Sequence, residues 1–139
     1  MHRDTYYINF DATYSDIDVF LGAIKTEQDT DTNLPISDWH YKAAYDLCSE
    51  YVGFQLVPAT FVVTYQVMLI GNYRLRPVRN YSIATVNSLT GSAVNSPSYM
   101  VMPDGVIIDR ALAQTLTLNY VDTTPQLVSN AIYRQANVF

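Results

Sequence analysis

Cysteine is almost absent from this chain of 139 residues: Cys48 stands alone, so no disulfide can close within it. That suits a reducing compartment, or a fold large enough to need no covalent staple. Histidine is nearly as scarce, with only His2 and His40. One thiol and two imidazoles leave little material for a nucleophile–base pair, and none of the spacings that hold zinc occurs. His40 falls in the first turn of an expected helix, where the dipole disfavours a cation, so a neutral boundary role fits it better than catalysis. Phosphate-binding loops, dinucleotide fingerprints and nucleophile-elbow motifs are missing too. Charged residues make up 15% of the chain, against roughly 25% in ordinary soluble domains. The net charge of −5 argues against gripping nucleic acid by its phosphates. No apolar run approaches the ~18 residues of a membrane span, and the opening MHRDTYYINF carries no secretory apolar region. These absences predict a protein with no catalytic residues, no cofactor, no metal and no membrane, kept in a cytoplasm unless it is packaged.

What is present is apolar and aromatic. Hydrophobic residues reach 49%, and there are twelve tyrosines. Tyrosine combines a large apolar ring with a polar tip, which suits surfaces half in contact and half wet. It is also a good strand residue, so the excess has two available explanations. Charge is unevenly spread. Residues 1–50 carry ten acids against three bases, a net of −7, whereas residues 51–139 carry five arginines against three aspartates, a net of +2. Unlike halves suit head-to-tail association between copies. The length supports one domain, able to bury roughly 68% of its unfolded surface.

Along the chain, residues 1–14 hold Tyr6, Tyr7, Ile8, Phe10 and Tyr14 without a helical period and read as an extended arm. Ser15 looks like an N-cap with Asp16 and Asp18 in the first turn. Ile17, Phe20, Leu21 and Ile24 then make one apolar stripe, ending near Lys25. The polar stretch that follows places Asp29, Asp31 and Asn33 like the first ligands of a calcium loop. Leu34 stands where that loop needs glycine and His40 where it needs glutamate, which excludes calcium. A second helix has Pro35 outside it, Ser37 as cap and Asp38 in its first turn. Ala44, Leu47, Cys48 and Tyr51 form its expected buried stripe, widened by Trp39, Tyr41 and Tyr45, and Gly53 ends it.

Beyond Gly53 the period becomes two. Residues 60–70 place Phe61, Val63, Tyr65, Val67 and Leu69 on one face, and Val62, Met68 and Ile70 make the other face apolar, predicting a strand covered on both sides. Gly71-Asn72 signals a turn. Residues 73–77 read as an edge strand or loop because of Pro77, and residues 81–89 read as a strand before a polar loop at 90–97. Residues 99–102 and 106–109 flank Pro103-Asp104-Gly105, a hairpin signature. Leu116, Leu118 and Tyr120 alternate with polar residues as in a half-buried strand. Thr124 and Pro125 open a last helix with Leu127, Val128, Ala131 and Ile132 on its apolar face. The expected fold class is α+β: two N-terminal helices, an antiparallel sheet of about four to six strands and a short C-terminal helix. It is a single domain over 1–139, divided into an arm (1–14), a helical part (15–53), a β part (54–122) and a C-terminal helix and tail (123–139).

Arg74, Arg76 and Arg79 are the only basic cluster. They make either a solvated edge or a docking point for an acidic protein partner. Three arginines on an acidic chain would give DNA no more than a weak, salt-dependent contact.

With these elements in order, the chain resembles the head–tail connector (adaptor) family of tailed bacteriophages. The segment Glu50-Tyr51-Val52-Gly53-Phe54-Gln55-Leu56-Val57-Pro58-Ala59-Thr60 is similar to that family's helix ending, E-Y-x-G-x-x-L-x-P-x-T, before a strand. Leu75-Arg76-Pro77-Val78 leading to Thr90-Gly91 is similar to its proline-containing segment and strand. Tyr99-Met100-Val101, Gly105-Val106-Ile107 and Leu116-Thr117-Leu118-Asn119-Tyr120 are similar to its later strands. The likeness spans about residues 37–133. The final helix is shorter than the family's, and the arm and acidic loop are longer.

The resemblance implies a structural virion protein: a homo-oligomeric ring below the portal protein at the capsid vertex. Such a ring continues the DNA channel, with DNA passing through the lumen without sequence-specific binding. It meets a tail, stopper or terminator protein, and its place is the virion neck after assembly in the host cytoplasm. The interface candidates are Tyr6, Tyr7 and Phe10 in the arm, laid on a neighbour's sheet, the arginines Arg74, Arg76 and Arg79, and Arg134, Val138 and Phe139 at the C-terminus. Two rival readings stay open. One is a small-ligand-binding or enzymatic α+β domain, which should show inward carboxylates or imidazoles around a pocket. The other is a different ring-forming tail component, such as a tail terminator or tube subunit, which usually begins with strands.

Overall fold

The computed structural model describes residues 2–29 and 36–139. The calcium-loop comparison at Asp31, Asn33 and Leu34, and Pro35 ahead of the second helix, fall outside those residues. The chain divides into two compact units, residues 1–13 with 59–123 and residues 14–58 with 124–139.

The first unit is built from strands, two of which bury every second residue while others lie almost wholly exposed. In chain order these are β1 (Arg3–Thr5), β2 (Tyr7–Tyr14), β3 (Ala59–Val67), β4 (Gly71–Leu75), β5 (Ser82–Gly91), β6 (Met100–Met102), β7 (Gly105–Ala111) and β8 (Gln114–Thr123). They form two four-stranded sheets, ordered β1-β4-β7-β6 and β2-β3-β8-β5. β1 joins β4 in parallel, while β4 with β7, β6 with β7, β3 with β8 and β5 with β8 are antiparallel. Phe61, Val63, Tyr65 and Val67 of β3 and Leu116, Leu118 and Tyr120 of β8 meet Tyr73, Leu75, Val106 and Ile108 of the other sheet in one core. The Phe61 and Tyr120 rings stack with centroids 5.4 Å apart. Buried phenols need partners for their hydroxyls. Tyr65 donates to the Arg76 carbonyl, and Tyr120 accepts from the Val78 N–H at 2.8 Å. Two core residues thereby fasten the segment that leaves β4.

The second unit packs α1 (Ile17–Gln28), α2 (Asp38–Val52) and α3 (Gln126–Val138) around Leu21, Ile24, Tyr41, Ala44, Tyr45, Leu56, Val57, Ile132 and Ala136. Asp16, not Ser15, caps α1: its carboxylate accepts from Val19 N–H at 3.0 Å, and the helix runs to Gln28, past Lys25. Ser37 caps α2 by position but makes no side-chain cap bond. Tyr45 reaches out of α2 to fix the following turn, its hydroxyl taking the Leu56 N–H at 3.0 Å. Thr124 donates to the Leu56 carbonyl at 2.7 Å, and Pro125, not Thr124, occupies the cap position of α3.

Gly53 ends α2 in the left-handed region at φ 82°, with its N–H on Ser49 O at 2.8 Å. A side chain there would meet no neighbour but would strain the backbone. Gly53→Ala should therefore cost about 1 kcal/mol, read as a lower urea midpoint with unchanged m.

The expected fold class needs correction. Among the described residues there are three helices and eight strands in two sheets. Neither of the first two helices is N-terminal, because β1 and β2 precede them. The arm lacked a helical period, and its strands lie at the margins of both sheets, where they need no buried alternation of their own. Of residues 73–77, expected as an edge strand or loop, 73–75 belong to β4, which is interior to its sheet, and Arg76 and Pro77 fall beyond its end. Gly71-Asn72 opens that strand, and the turn lies one step earlier, after Val67. β3 is buried on one face only: Val62 points outward, and Met68 and Ile70 lie beyond the strand. A sandwich of two sheets explains this, since each strand then has one inward face. β5 continues through Gly91, shortening the expected polar loop.

Candidate assembly surfaces

The arginine cluster is divided by the fold. Arg79 is largely covered, its Nε donating to Asp122 Oδ2 at 2.7 Å and its Nη2 to Oδ1 at 3.1 Å. Its guanidinium sits 4.0 Å from the Tyr81 ring centroid and 5.4 Å from that of Phe61. Asp122 also accepts from the Ala59 N–H at 2.9 Å. This arginine therefore serves the core of the β unit. Arg74 and Arg76 are partly exposed and share Asp104, at 3.1 Å and 3.7 Å, with Asp4 3.9 Å from Arg74. Their charge is largely neutralised within the unit.

The arm residues lie along sheet margins of their own chain. β1 pairs with β4, Arg3 facing Tyr73, and β2 stands beside β3 at the end of its sheet. Tyr6, Tyr7 and Phe10 remain exposed. They differ in attachment: Phe10 stands edge-on to Phe61 at 5.7 Å and to Tyr7 at 5.1 Å, while Tyr6 is the most open of the three. Tyr6→Ser with Tyr7→Ser should leave thermal stability within about 0.5 kcal/mol, as exposed substitutions do. The same pair should weaken self-association in sedimentation, and unchanged association would remove the arm from the interface. Arg134, Val138 and Phe139 are exposed on and after α3.

Two apolar surfaces escaped the sequence reading. The first is the connection between β3 and β4. Met68, Leu69 and Ile70 there are 72%, 62% and 71% exposed. Val67 pairs with Gln114 and Gly71 with Ala111, so this connection lies alongside the one between β7 and β8, which carries the exposed Leu112. Connections at sheet ends are ordinarily polar, and runs of exposed apolar residues there mark binding surfaces.

The second surface belongs to the helical unit. Leu47 and Tyr51, expected in the buried stripe of α2, point outward with Trp39, while Tyr41 and Tyr45 take the core. On α3, Leu127 is 76% exposed, and the buried face is Ile132 and Ala136. Leu47, Cys48, Tyr51, Val52, Leu127 and Val128 are among the residues lining an open groove of about 510 Å³ in this unit, with Leu56, Ala131 and Gln135. Tyr51 at its margin is 91% exposed. The Cys48 thiol is pushed up in pKa by burial, which keeps it a protonated, packed group. Fully burying such side chains stabilises an interface by about 1.5–3 kcal/mol each. Four of them begin to offset the roughly 4–15 kcal/mol that association costs.

His2 binds Asp109 through Nε2 at 2.7 Å, and the His40 ring lies 4.3 Å from that of Trp39. Among the described residues, no three His, Cys, Asp or Glu side chains gather as a metal site. No described helix is long and apolar enough to cross a membrane. Compared with models of protein families and with curated proteins, the chain matches none.

Proposed function

We propose that this chain is a structural subunit that assembles with its own copies into a ring at the neck of a tailed-phage particle, as a head–tail connector. In this role it works through surfaces and has no catalytic residues. It is assembled in the host cytoplasm and retained in the virion. The observation that carries the reading is the outward display of large apolar side chains on both units, with Tyr51, Leu127 and the Met68–Ile70 connection foremost. A monomer in water has no use for such display, whereas a subunit covered on two sides has. The resemblance over residues 37–133 supplies the particular ring. Its helix-ending motif coincides with the end of α2 and the left-handed Gly53, followed by β3.

The rival ring-forming reading has a specific observation in its favour. Tail terminators and tube subunits usually begin with strands, and β1 and β2 precede α1. The portal-side assignment therefore rests on the motif series alone, and the ring assignment on the exposed surfaces. Small-ligand binding is disfavoured by the groove itself, whose lining offers one thiol, one phenol and one amide, and no carboxylate or imidazole, to orient a substrate.

The test is an image reconstruction of the particle neck together with native mass measurement of the pure chain. Density for the chain as a ring directly below the portal supports the connector. A ring at the tail-proximal end transfers it to the terminator reading. A chain found outside any particle, turning over a small molecule, ends both.

A further inference from the structure

The two unexpected surfaces have complementary shapes and chemistry. One projects: Met68, Leu69 and Ile70 stand out from the end of the β unit, held in place because the Tyr73 hydroxyl donates to the Leu69 carbonyl at 2.7 Å. A fixed backbone loses little freedom on docking, which favours its use as a binding element. The other recedes: the groove flanked by α2 and α3 is lined by Leu47, Tyr51, Val52, Leu127 and Val128, with room of about 510 Å³.

The geometry points to a head-to-tail contact in which Met68, Leu69 and Ile70 of one copy seat in the α2–α3 groove of the next copy. This rests on the ring reading above and names the faces that build the ring. Charge selects the occupant. The helical unit carries eight acids against three bases, a net of −5, whereas the β unit carries five of each. Two helical units repel one another, so groove-to-groove pairing is disfavoured, and a neutral projection is not repelled.

The rims agree with this choice. Arg110 stands two residues before Leu112, exposed and outside every ion pair among the described residues. It is held at φ 58° with its N–H on Asn72 Oδ1 at 2.8 Å, in the bulge where β7 meets β4. Glu50, three residues from Leu47 and so its neighbour on the α2 surface, is likewise exposed and without an ion pair among the described residues. An arginine beside the projection and a glutamate beside the groove complement each other across the contact. Tip-to-tip pairing would instead oppose two arginines and leave both grooves open. Because each copy offers one projection and one groove, all are covered only when the series closes.

Cys48, in the groove lining and the only native thiol, makes the contact testable. Met68→Cys in the full chain, at roughly millimolar concentration where weak contacts are populated, is treated with a mild oxidant that takes the two electrons of each thiol pair. The expected product is a ladder of disulfide-linked multimers, since every copy supplies one thiol to each neighbour. Adding Cys48→Ser should erase everything above the dimer. Arg110→Glu should weaken assembly at least tenfold, and Arg110→Glu with Glu50→Arg should restore it. An assembled oligomer in which Met68→Cys gives no product, or dimers alone, overturns this contact and leaves the ring standing. A chain that stays monomeric and uncross-linked at that concentration overturns both.

Discussion

Asp122→Ala should lower the unfolding free energy of the β unit by about 3–5 kcal/mol, the range for breaking a buried ion pair by removing one partner. The carboxylate is nearly inaccessible and carries four functions at once. It accepts two bonds from Arg79, at 2.7 Å and 3.1 Å, and one from the Ala59 N–H at 2.9 Å, and it closes the buried face of β8. Removing it takes two charge-assisted bonds from a largely buried guanidinium and the acceptor from a backbone amide, and the desolvation of both is then less well compensated. The control is the double replacement Arg79→Met with Asp122→Leu, which removes both charges and should recover most of the loss. Urea unfolding followed by tyrosine fluorescence reads the effect. A loss below about 1 kcal/mol for Asp122→Ala would show that water reaches the pair, since exposed pairs contribute only that much.

Alkaline pH should unfold the protein with unusual steepness. Burial raises the pKa of the Tyr65 hydroxyl, and raises that of Tyr120 to about 12, where the Val78 amide and Arg79 offset part of the rise. In the unfolded chain both ionise near 10. The fold holds the neutral phenol, so its contribution is fully present below about pH 10 and falls as pH climbs through the folded values. Each tyrosine contributes a slope of about 1.4 kcal/mol per pH unit between those limits, so the pair gives about 2.7. Urea midpoints measured from pH 9 to 12 should decline accordingly. Tyr120→Phe should cost about 1 kcal/mol at neutral pH, because the Val78 N–H loses its acceptor, and should take that tyrosine's own share, about 1.4 kcal/mol per pH unit, off the alkaline slope. An unchanged slope in Tyr120→Phe would place that hydroxyl in contact with water.

How much of this was legible beforehand depended on whether a signal was local. Gly53 announced the end of α2 because a left-handed residue after an apolar stripe is a property of a few neighbours. The turn at Pro103-Asp104 was equally local: Met102 pairs with Gly105 as that signature requires. The alternation of Leu116, Leu118 and Tyr120 marked the buried face of β8, because one covered face forces period two. The α2 stripe was misplaced for the opposite reason. Tyr41, Tyr45, Leu47 and Tyr51 are all large and apolar, and periodicity alone accommodates either face. The packing of α1 and α3 chose Tyr41 and Tyr45.

The interface candidates show the same division. RLRPVR reads as one basic cluster in one dimension, yet Arg79 is drawn into the core by an aspartate 43 positions away. Met68, Leu69 and Ile70 read as the continuation of a buried strand, since three apolar residues after an apolar alternation offer no sign of stopping. A usable hint was the polar pair Gly71-Asn72 just beyond, which marks the neighbourhood of a turn without its position.

The order of amino acids by itself determined the period of β8, the end of α2 at Gly53, the poverty in catalytic groups and the imbalance of charge, since each depends on residues a few places apart or on composition alone. Only the tertiary structure decided which of several equally apolar faces is covered, that the strands divide into two sheets, and that one arginine is largely covered while another stays at the surface. Those outcomes hang on contacts between distant segments, where burying one face leaves its competitor outside, and that remainder is the surface available to a partner.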